Sequence, residues 1–564
     1  MTTSPSASRP WLSSYPDGVA ADIDTAAYGS INELMAEAFS QHASKVAYSF
    51  LGKDMTFGET DRLSAQLGAY WQSLGLVKGD RVAIMMPNVP QYPIAVAAIL
   101  RAGLVVVNVN PLYTPRELAH QLKDSGAKAI VILENFASTL QACIMDTPVQ
   151  HVVLAAMGDR LGLKGLIVNY VVRRVKKLVP AFTLPASLNS LIRFNTALSR
   201  GAKATLTTPT VSADDVAVLQ YTGGTTGVSK GAVLLHRNVI ANLLQSEVWN
   251  APVTKRVPAN EQLTGVCALP LYHIFAFTCS MMLSMRQGAK VILIPNPRDL
   301  PAVLKELAKH TFHSFPAVNT LFNALANHPD FNTVNWKNLV VSVGGGTAVQ
   351  GATAKLWQEK TGCPITEGYG LSETSPSASC NPVTSLAYTG TIGVPLPNTW
   401  LKCLDEAGNE VAIGMPGEIA IKGPQVMAGY WQRPDETAKV MTADGYFKSG
   451  DVGVMDERGY FKIVDRIKDM ILVSGFNVYP TEIEEVVSSC PGVLECAAVG
   501  MQDESSGEAV KLVVVKKDQG LTAEAIKAYC AENLTNYKRP KVIEFRTELP
   551  KTNVGKILRR ELRG

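Results

Sequence analysis

Charge is scarce in this sequence: Asp, Glu, Lys and Arg make up 18% of 564 residues, against ~25% in a typical soluble domain. That excludes a disordered or highly solvated chain. An excess of one sign is also lacking, with 53 basic and 49 acidic residues for a net charge of +4, so a dedicated nucleic-acid binder is excluded on charge, although local basic patches are not. No CxxC pair occurs among the nine cysteines, and an odd, scattered set without metal-ligand spacing fits a reducing compartment. No run of 18 or more apolar residues is present, so no spanning helix is expected. The N-terminus MTTSPSASRPWLSSYPDG has no apolar stretch behind basic residues and does not read as a signal peptide. Internal repeats and low-complexity tracts are missing too. With 46% hydrophobic residues, the chain can bury a large core, and its length suggests roughly three or four folding units. The expectation is a cytoplasmic, multi-domain α/β enzyme.

Helical and strand patterns alternate. INELMAEAFSQHA (31–43) has helical spacing, VAYSF (46–50) reads as a strand, and FGETDRLSAQLGAYWQSL (57–74) as a helix. RVAIMMPN (81–88), LVVVNVN (104–110) and AKAIVIL (127–133) are strand-like, with helices at 92–103 and 116–126 between them. Continuous β-branched runs separated by helices predict a parallel sheet covered on both faces. The rhythm returns at 288–295, 300–310 and 339–346. Short strands and turns dominate 388–465, and a small α/β unit follows from 469. The segment GLIVNYVVRRVKKLVPAF (165–182) is apolar, with Arg173, Arg174, Lys176 and Lys177 in its middle. It reads first as a solvated basic face or connector, and second as a surface for an anionic membrane.

Four segments carry chemistry. In Tyr221-Thr-Gly-Gly-Thr-Thr-Gly-Val-Ser-Lys230-Gly231 an apolar strand runs into glycines, threonines and a lysine. Glycines admit an anion to the backbone, and hydroxyls and a cation can ring phosphate oxygens. It is not a Walker A loop, because Lys230 lies between Ser229 and Gly231. The embedded G-x-S-x-G of 227–231 is no nucleophile elbow, since another strand-like run rather than a helix follows. Glu367-Gly-Tyr-Gly-Leu-Ser-Glu-Thr-Ser375 offers a flat ring beside glycines and a carboxylate beside a hydroxyl, the oxygen ligation Mg²⁺ accepts; taken alone, a turn or cap explains it equally well. Asp451, then Asp465-Arg466-Ile-Lys468-Asp469, then Gly475 form a third group, and Lys556 in Leu549-Pro-Lys-Thr-Asn-Val-Gly-Lys556 a fourth.

In this order, the segments resemble the adenylate-forming superfamily of acyl-CoA synthetases, luciferases and peptide-synthetase adenylation domains, over nearly the whole chain. Within it the resemblance is to bacterial long-chain fatty-acid–CoA ligases. The run 444–480 looks like the fatty-acyl-CoA synthetase signature, departing from it by Tyr446 for Trp and Lys448-Ser449 for His-Thr. The resemblance implies an α/β fold: a large N-terminal domain (1–467) of mixed and parallel sheets sandwiched by helices, with a β-rich part near 388–465, and a small mobile C-terminal α+β domain (468–564). It implies ATP, Mg²⁺ and coenzyme A together with a fatty acid. Tyr221, Thr222, Gly223, Gly224, Thr225, Thr226, Gly227 and Lys230 would bind phosphates, with Thr225 and Glu373 at Mg²⁺. Tyr369 would stack on adenine beside Gly345, Gly346, Gly370 and Ser372. Asp451 would hold the ribose, Arg466 the ribose or phosphate, and Lys468 would be the hinge. Lys556 would bridge the carboxylate and the α-phosphate, Gly475 would make room for pantetheine, and His273 would sit between the nucleotide and the acyl pocket. Ile274, Phe275 and Phe277 are lining candidates for an alkyl chain. A short-chain, medium-chain or aromatic acid remains the alternative substrate. A homodimer and peripheral contact with the inner membrane stay open.

Overall fold

The computed structural model describes residues 9–222, 229–474, 476–503, 506–552 and 555–563. Among them the strands form four sheets. The nine-stranded sheet has a parallel centre, Ile365–Gly370, Val341–Gly344, Ser314–Ala317, Thr264–Cys267, Lys290–Leu293 and Val46–Phe50 in spatial order, with antiparallel edges Lys53–Thr56 on one side and Ser377–Cys380 and Val394–Pro395 on the other. The eight-stranded sheet runs Gly429–Tyr430, Lys230–Leu235, Val216–Thr222, Val105–Asn108, Arg81–Met85, Ala129–Leu133, His151–Ala155 and Ser190–Arg193. It too is parallel except at Lys230–Leu235 and Gly429–Tyr430. The strand-helix alternation therefore produces the expected parallel sheets, with antiparallel strands added at their edges.

Helix Gln91–Arg101 explains how the two large sheets share one core. Its residues 91–100 are all buried, the signature of a helix packed on every side. The Tyr92 hydroxyl donates to the Leu271 carbonyl at 3.0 Å and also meets Asn108, so the helix is pinned to a strand of the eight-stranded sheet and to the loop that follows Thr264–Cys267 in the other. Helix His236–Thr254 directly follows strand Lys230–Leu235 of the eight-stranded sheet and reaches the nine-stranded side through polar groups. Asn242 donates to the Ser377 carbonyl and Gln245 to that of Pro397, each at 2.7 Å. These amides are satisfied where an unpaired one would cost about 1–3 kcal/mol.

The strand-and-turn region supplies an antiparallel sheet of Trp400–Leu404, Gly417–Lys422, Phe447–Met455 and Phe461–Arg466. Two short strands from the same region leave it: Val394–Pro395 joins the nine-stranded sheet and Gly429–Tyr430 the eight-stranded one. Beyond Arg466 a small C-terminal domain builds a separate core around Gly507–Lys516, which pairs with Val493–Asp503, Ile471–Val473 and Val542–Arg546. Helices Pro480–Ser488 and Ala523–Asn533 cover it.

Candidate active site

A cavity of about 1700 Å³ opens where the C-terminal ends of the parallel strands meet the four-stranded sheet and the small domain. Part of its wall is built on Tyr369, near the end of strand Ile365–Gly370. The Tyr369 hydroxyl donates to Asp451 Oδ2 at 2.7 Å. Asp451 stands opposite Arg466 in the strand register, and Arg466 Nε reaches Asp451 Oδ1 at 3.0 Å. Burial drives the Tyr369 phenol well above its ordinary pKa, with the Asp451 carboxylate adding to the effect.

Glycines shape the wall. A Cβ on Gly370 would lie 1.8 Å from the Pro376 carbonyl oxygen, and one on Gly345 3.0 Å from the Phe275 ring. Gly346 follows with φ +77° in the left-handed region, where a side chain is strained. Ser372 and Glu373 sit in a short 3₁₀ turn, Ser372–Thr374, that faces the cavity. The Tyr430 hydroxyl donates to Glu373 Oε1 at 2.8 Å, and burial raises the Glu373 carboxyl above its usual pKa.

The phosphate-loop residues divide. Gly223, Gly224, Thr225, Thr226 and Gly227 lie outside the described residues, as does Gly475. Thr222 and Lys230 pair across adjacent strands and line the cavity. Lys230 Nζ is held by Glu436 and lies 5.1 Å from the Tyr430 ring centroid. Tyr221 also reaches the cavity wall. Its hydroxyl, however, donates to Asp124 Oδ2 at 2.7 Å, and Arg433 pairs with Asp124 at 2.6 Å. The Tyr221 hydroxyl therefore has a protein partner in Asp124.

Lys556 enters from the small domain. Its amide donates to Thr552 Oγ1 at 3.1 Å, and Thr552 returns its own amide to the Lys556 carbonyl at 2.7 Å. The turn is seated on the large domain: Thr320 Oγ1 donates to the Gly555 carbonyl at 3.3 Å, and Arg298 reaches the Thr552 carbonyl at 3.3 Å. Burial, reinforced by the charges of Arg466 and Lys468, lowers the Lys556 ammonium to about 7. His273 is lowered to about 4, by burial first and then by the Lys556 charge, so its ring is neutral near pH 7. Lys468 follows Arg466 by two residues and also lines the cavity. Its carbonyl accepts from Arg563 at 3.4 Å, while Asp469 beside it pairs with Arg563 at 3.0 Å and Arg559 at 3.6 Å. Lys556, Arg466 and Lys468 thus line the cavity around Asp451, an arrangement suited to a polyanion.

A second arm of the cavity runs under helix His236–Thr254 across the face of the nine-stranded sheet. Trp249, Leu283, Val291 and Val343 line it, with Gly265 and Ser314 as its small-residue floor. Leu263, Val266 and Leu269 continue this apolar lining along the same segment. Ile274 and Phe275 line the cavity as expected. Phe277 does not: it is fully buried in the core, near the start of the π-helical stretch Ala276–Met282.

Residues 35–431 match the AMP-binding enzyme family, and residues 482–556 match the AMP-binding enzyme C-terminal domain. The chain belongs to the AMP-binding enzyme family. Among curated members, it is 53% identical to a long-chain-fatty-acid–CoA ligase of Salmonella typhimurium, over 98% of this chain and 97% of that protein. A long-chain-fatty-acid–CoA ligase of Haemophilus influenzae is 49% identical over 98% of each. Of solved structures, an anthranilate CoA ligase in complex with anthranoyl-AMP shares the fold, with a TM-score of 0.82 at 24% identity over 95% of this chain and 96% of that one.

Sequence reasoning missed several site residues of this AMP-binding enzyme. Tyr430, which orients Glu373, and Glu436, which holds Lys230, lie outside every motif. Gly265 sits in a strand with nothing to mark it, and Arg298 and Thr320 become visible only when the small domain docks. No local sequence signal identifies them, because their partners are remote along the chain.

Proposed function

We propose that this chain is a long-chain fatty-acid–CoA ligase that works through an acyl-adenylate. Near-full-length identity to curated ligases supports the reaction class. The observation that supports the residue roles is that Lys556, Asp451, Arg466 and Tyr369 line one cavity together with the apolar Trp249, Leu283, Val291 and Val343. The apolar lining and the near-full-length identity to curated long-chain ligases favour a long alkyl chain over the short or aromatic acids that the sequence leaves open.

A carboxylate is a weak nucleophile toward another anion, and repulsion must be cancelled where they meet. In the first half-reaction the fatty carboxylate oxygen attacks the α-phosphorus of ATP, the bond to the bridging oxygen breaks, and pyrophosphate leaves. In this reading Lys556 bridges the two anions, Tyr369 stacks on the base, and Asp451 accepts from the ribose hydroxyls. A positioned charge of this kind contributes about 3–4 kcal/mol. Mg²⁺ arrives with the nucleotide. A single buried carboxylate, Glu373, fits an ion whose other ligands are phosphates and waters, and it is joined in this reading by Thr225. Among the described residues no cluster of three His, Cys, Asp or Glu side chains would hold a metal alone. The ion would supply charge at the phosphates.

In the second half-reaction the coenzyme A sulfur, its proton lost, attacks the acyl carbonyl and AMP departs. Lys556 is then superfluous, and rotation of the small domain about Lys468 would withdraw it and bring Gly475 to the pantetheine arm. The test is pyrophosphate release across acids of about two to eighteen carbons, where specificity of about 1–3 kcal/mol between neighbouring classes is the expected scale. Release should peak at the long acids and require ATP. A peak at acetate or benzoate would sink the substrate assignment, and no release with any acid would sink the reaction.

A further inference from the structure

The N-terminal end of the described chain and the apolar arm of the cavity share one wall. Residues 9–23 form a strap with a short 3₁₀ turn, Pro10–Ser14, and no other helix or strand. Its anchors lie hundreds of residues away. Ser14 Oγ donates to the Arg458 carbonyl at 3.2 Å, in the loop between strands Phe447–Met455 and Phe461–Arg466 of the four-stranded sheet. The Ile23 amide donates to Asn398 Oδ1 at 2.8 Å, and the Asn398 amide returns to the Ala21 carbonyl at 3.0 Å. Trp11 is buried. A Cβ on Gly459 would lie 2.5 Å from the Trp11 backbone nitrogen, so only glycine lets the strap come this close.

Tyr15 is where the strap meets the arm. Its hydroxyl donates to the carbonyl of Pro395, in the edge strand Val394–Pro395 of the nine-stranded sheet, at 2.6 Å. Its ring stands against Trp249, with centroids 5.0 Å apart and planes at 89°. Aromatic pairs favour this edge-to-face arrangement. On its own polar edge the indole N–H of Trp249 donates to the Asn381 carbonyl at 3.0 Å. Trp249 also lines the cavity, so its ring stands between the strap and the apolar arm.

The contact does not stand alone. Trp11, Trp249, Val341, Cys380 and Leu396 belong to one buried apolar cluster, against which Tyr15 packs. All of these but Trp11 and Tyr15 line the cavity as well. Strap and arm wall are thus two sides of a single packed layer. Packed interiors transmit the loss of a side chain to its neighbours, so a group removed from the strap side frees the wall on the other.

We propose that Tyr15 is a positioning residue for the acyl substrate: by holding the Trp249 ring, the N-terminal strap sets the width of the alkyl arm and favours long chains. The inference rests on reading this arm as the fatty-acid site. Steady-state adenylation with oleate and with octanoate tests it. Tyr15→Ala should raise KM for oleate about three- to tenfold, the scale of one aromatic pair, with kcat within about twofold of wild type and octanoate little affected. Tyr15→Phe keeps the ring edge and should restore the wild-type oleate KM. A second readout needs no turnover. Trp249 is the tryptophan that lines the cavity among the described residues, so 9,10-dibromostearate should quench its fluorescence, and Trp249→Phe should abolish that signal. In Tyr15→Ala the half-quenching concentration should rise by the same factor as KM. Unchanged oleate KM and quenching in Tyr15→Ala overturn the proposal, as does an equal rise for oleate and octanoate. Should Tyr15→Ala fail to fold, Tyr15→Leu, which keeps most of the buried volume without an aromatic edge, carries the same expectations. Quenching without pyrophosphate release from any acid would sink the ligase reading instead, and the quenching shift would then decide the role of Tyr15 by itself.

Discussion

Lys556 is where residue chemistry and reaction sequence meet. Lys556→Ala should cut acyl-adenylate formation by on the order of 10²–10³, while thioester formation from supplied acyl-adenylate continues. Separate assays of pyrophosphate release and thioester yield check the split; equal losses in both would remove the lysine from its assigned half-reaction. Its ammonium, lowered to about 7 by burial and by Arg466 and Lys468, is charged below that pH and neutral above it. The kcat/KM for adenylation, which reports the free enzyme, should therefore fall as pH rises through about 7. Lys556→Arg, whose charge does not titrate in this range, should show no such fall. Gly265 governs the other arm. A Cβ there would meet only Ser314, at 3.9 Å, so a larger side chain would project into the space for the alkyl chain. Gly265→Phe should lower kcat/KM for oleate by about 10–200-fold and leave octanoate little changed; parallel losses would show that the arm does not hold the chain. The sequence marks Lys556 through its motif. It cannot mark Gly265, because the space in front of a glycine belongs to the surrounding elements.

At the scale of elements, the turn carrying Lys556 matters as much as the lysine. Gly555 has φ +76°, and a Cβ on it would lie 2.5 Å from Thr320 Oγ1 and 3.0 Å from Val318 Cγ2. Gly555→Ala combines backbone strain of about 1–3 kcal/mol with a clash at the docking surface. Adenylation should fall about tenfold or more while the thermal midpoint of the large domain holds; unchanged adenylation would mean that the turn can seat elsewhere. The long strands and amphipathic helices were readable because hydrophobic period reports the face that each element buries. Val216–Thr222, Ala129–Leu133 and Pro115–Ser125 lie within a few residues of their sequence patterns. Two-residue strands such as Val394–Pro395 have no period to read, and the sheets they join are fixed by neighbours far along the chain. The π-helical stretch Ala276–Met282 escaped for a related reason: its wider turn departs from the 3.6-residue period that the sequence pattern reports.

At the scale of the whole molecule, the small domain rests on the large one through few polar contacts. Asn323 donates to the Leu494 carbonyl at 3.2 Å, and Lys517 reaches Asn327 Oδ1 at 3.0 Å. Cysteines introduced at Asn327 and Lys517 and joined by a short crosslinker should hold Lys556 in place. That enzyme should still form acyl-adenylate but release little thioester, and cleaving the linker should restore turnover. Full thioester output from the linked enzyme would end the hinge model. By itself, the sequence determined the local grammar: which segments alternate as strands and helices, which glycines and charged residues recur in a family-like order, and that the segment 165–182 is both greasy and basic. Only the tertiary structure decided that Tyr221 answers to Asp124, that Lys230 answers to Glu436, and that Leu166, Ile167 and Tyr170 of that segment look outward. Period and motif are properties of neighbours in the chain, whereas hydrogen-bond partners, cavity depth and exposure are set by distances between segments hundreds of residues apart.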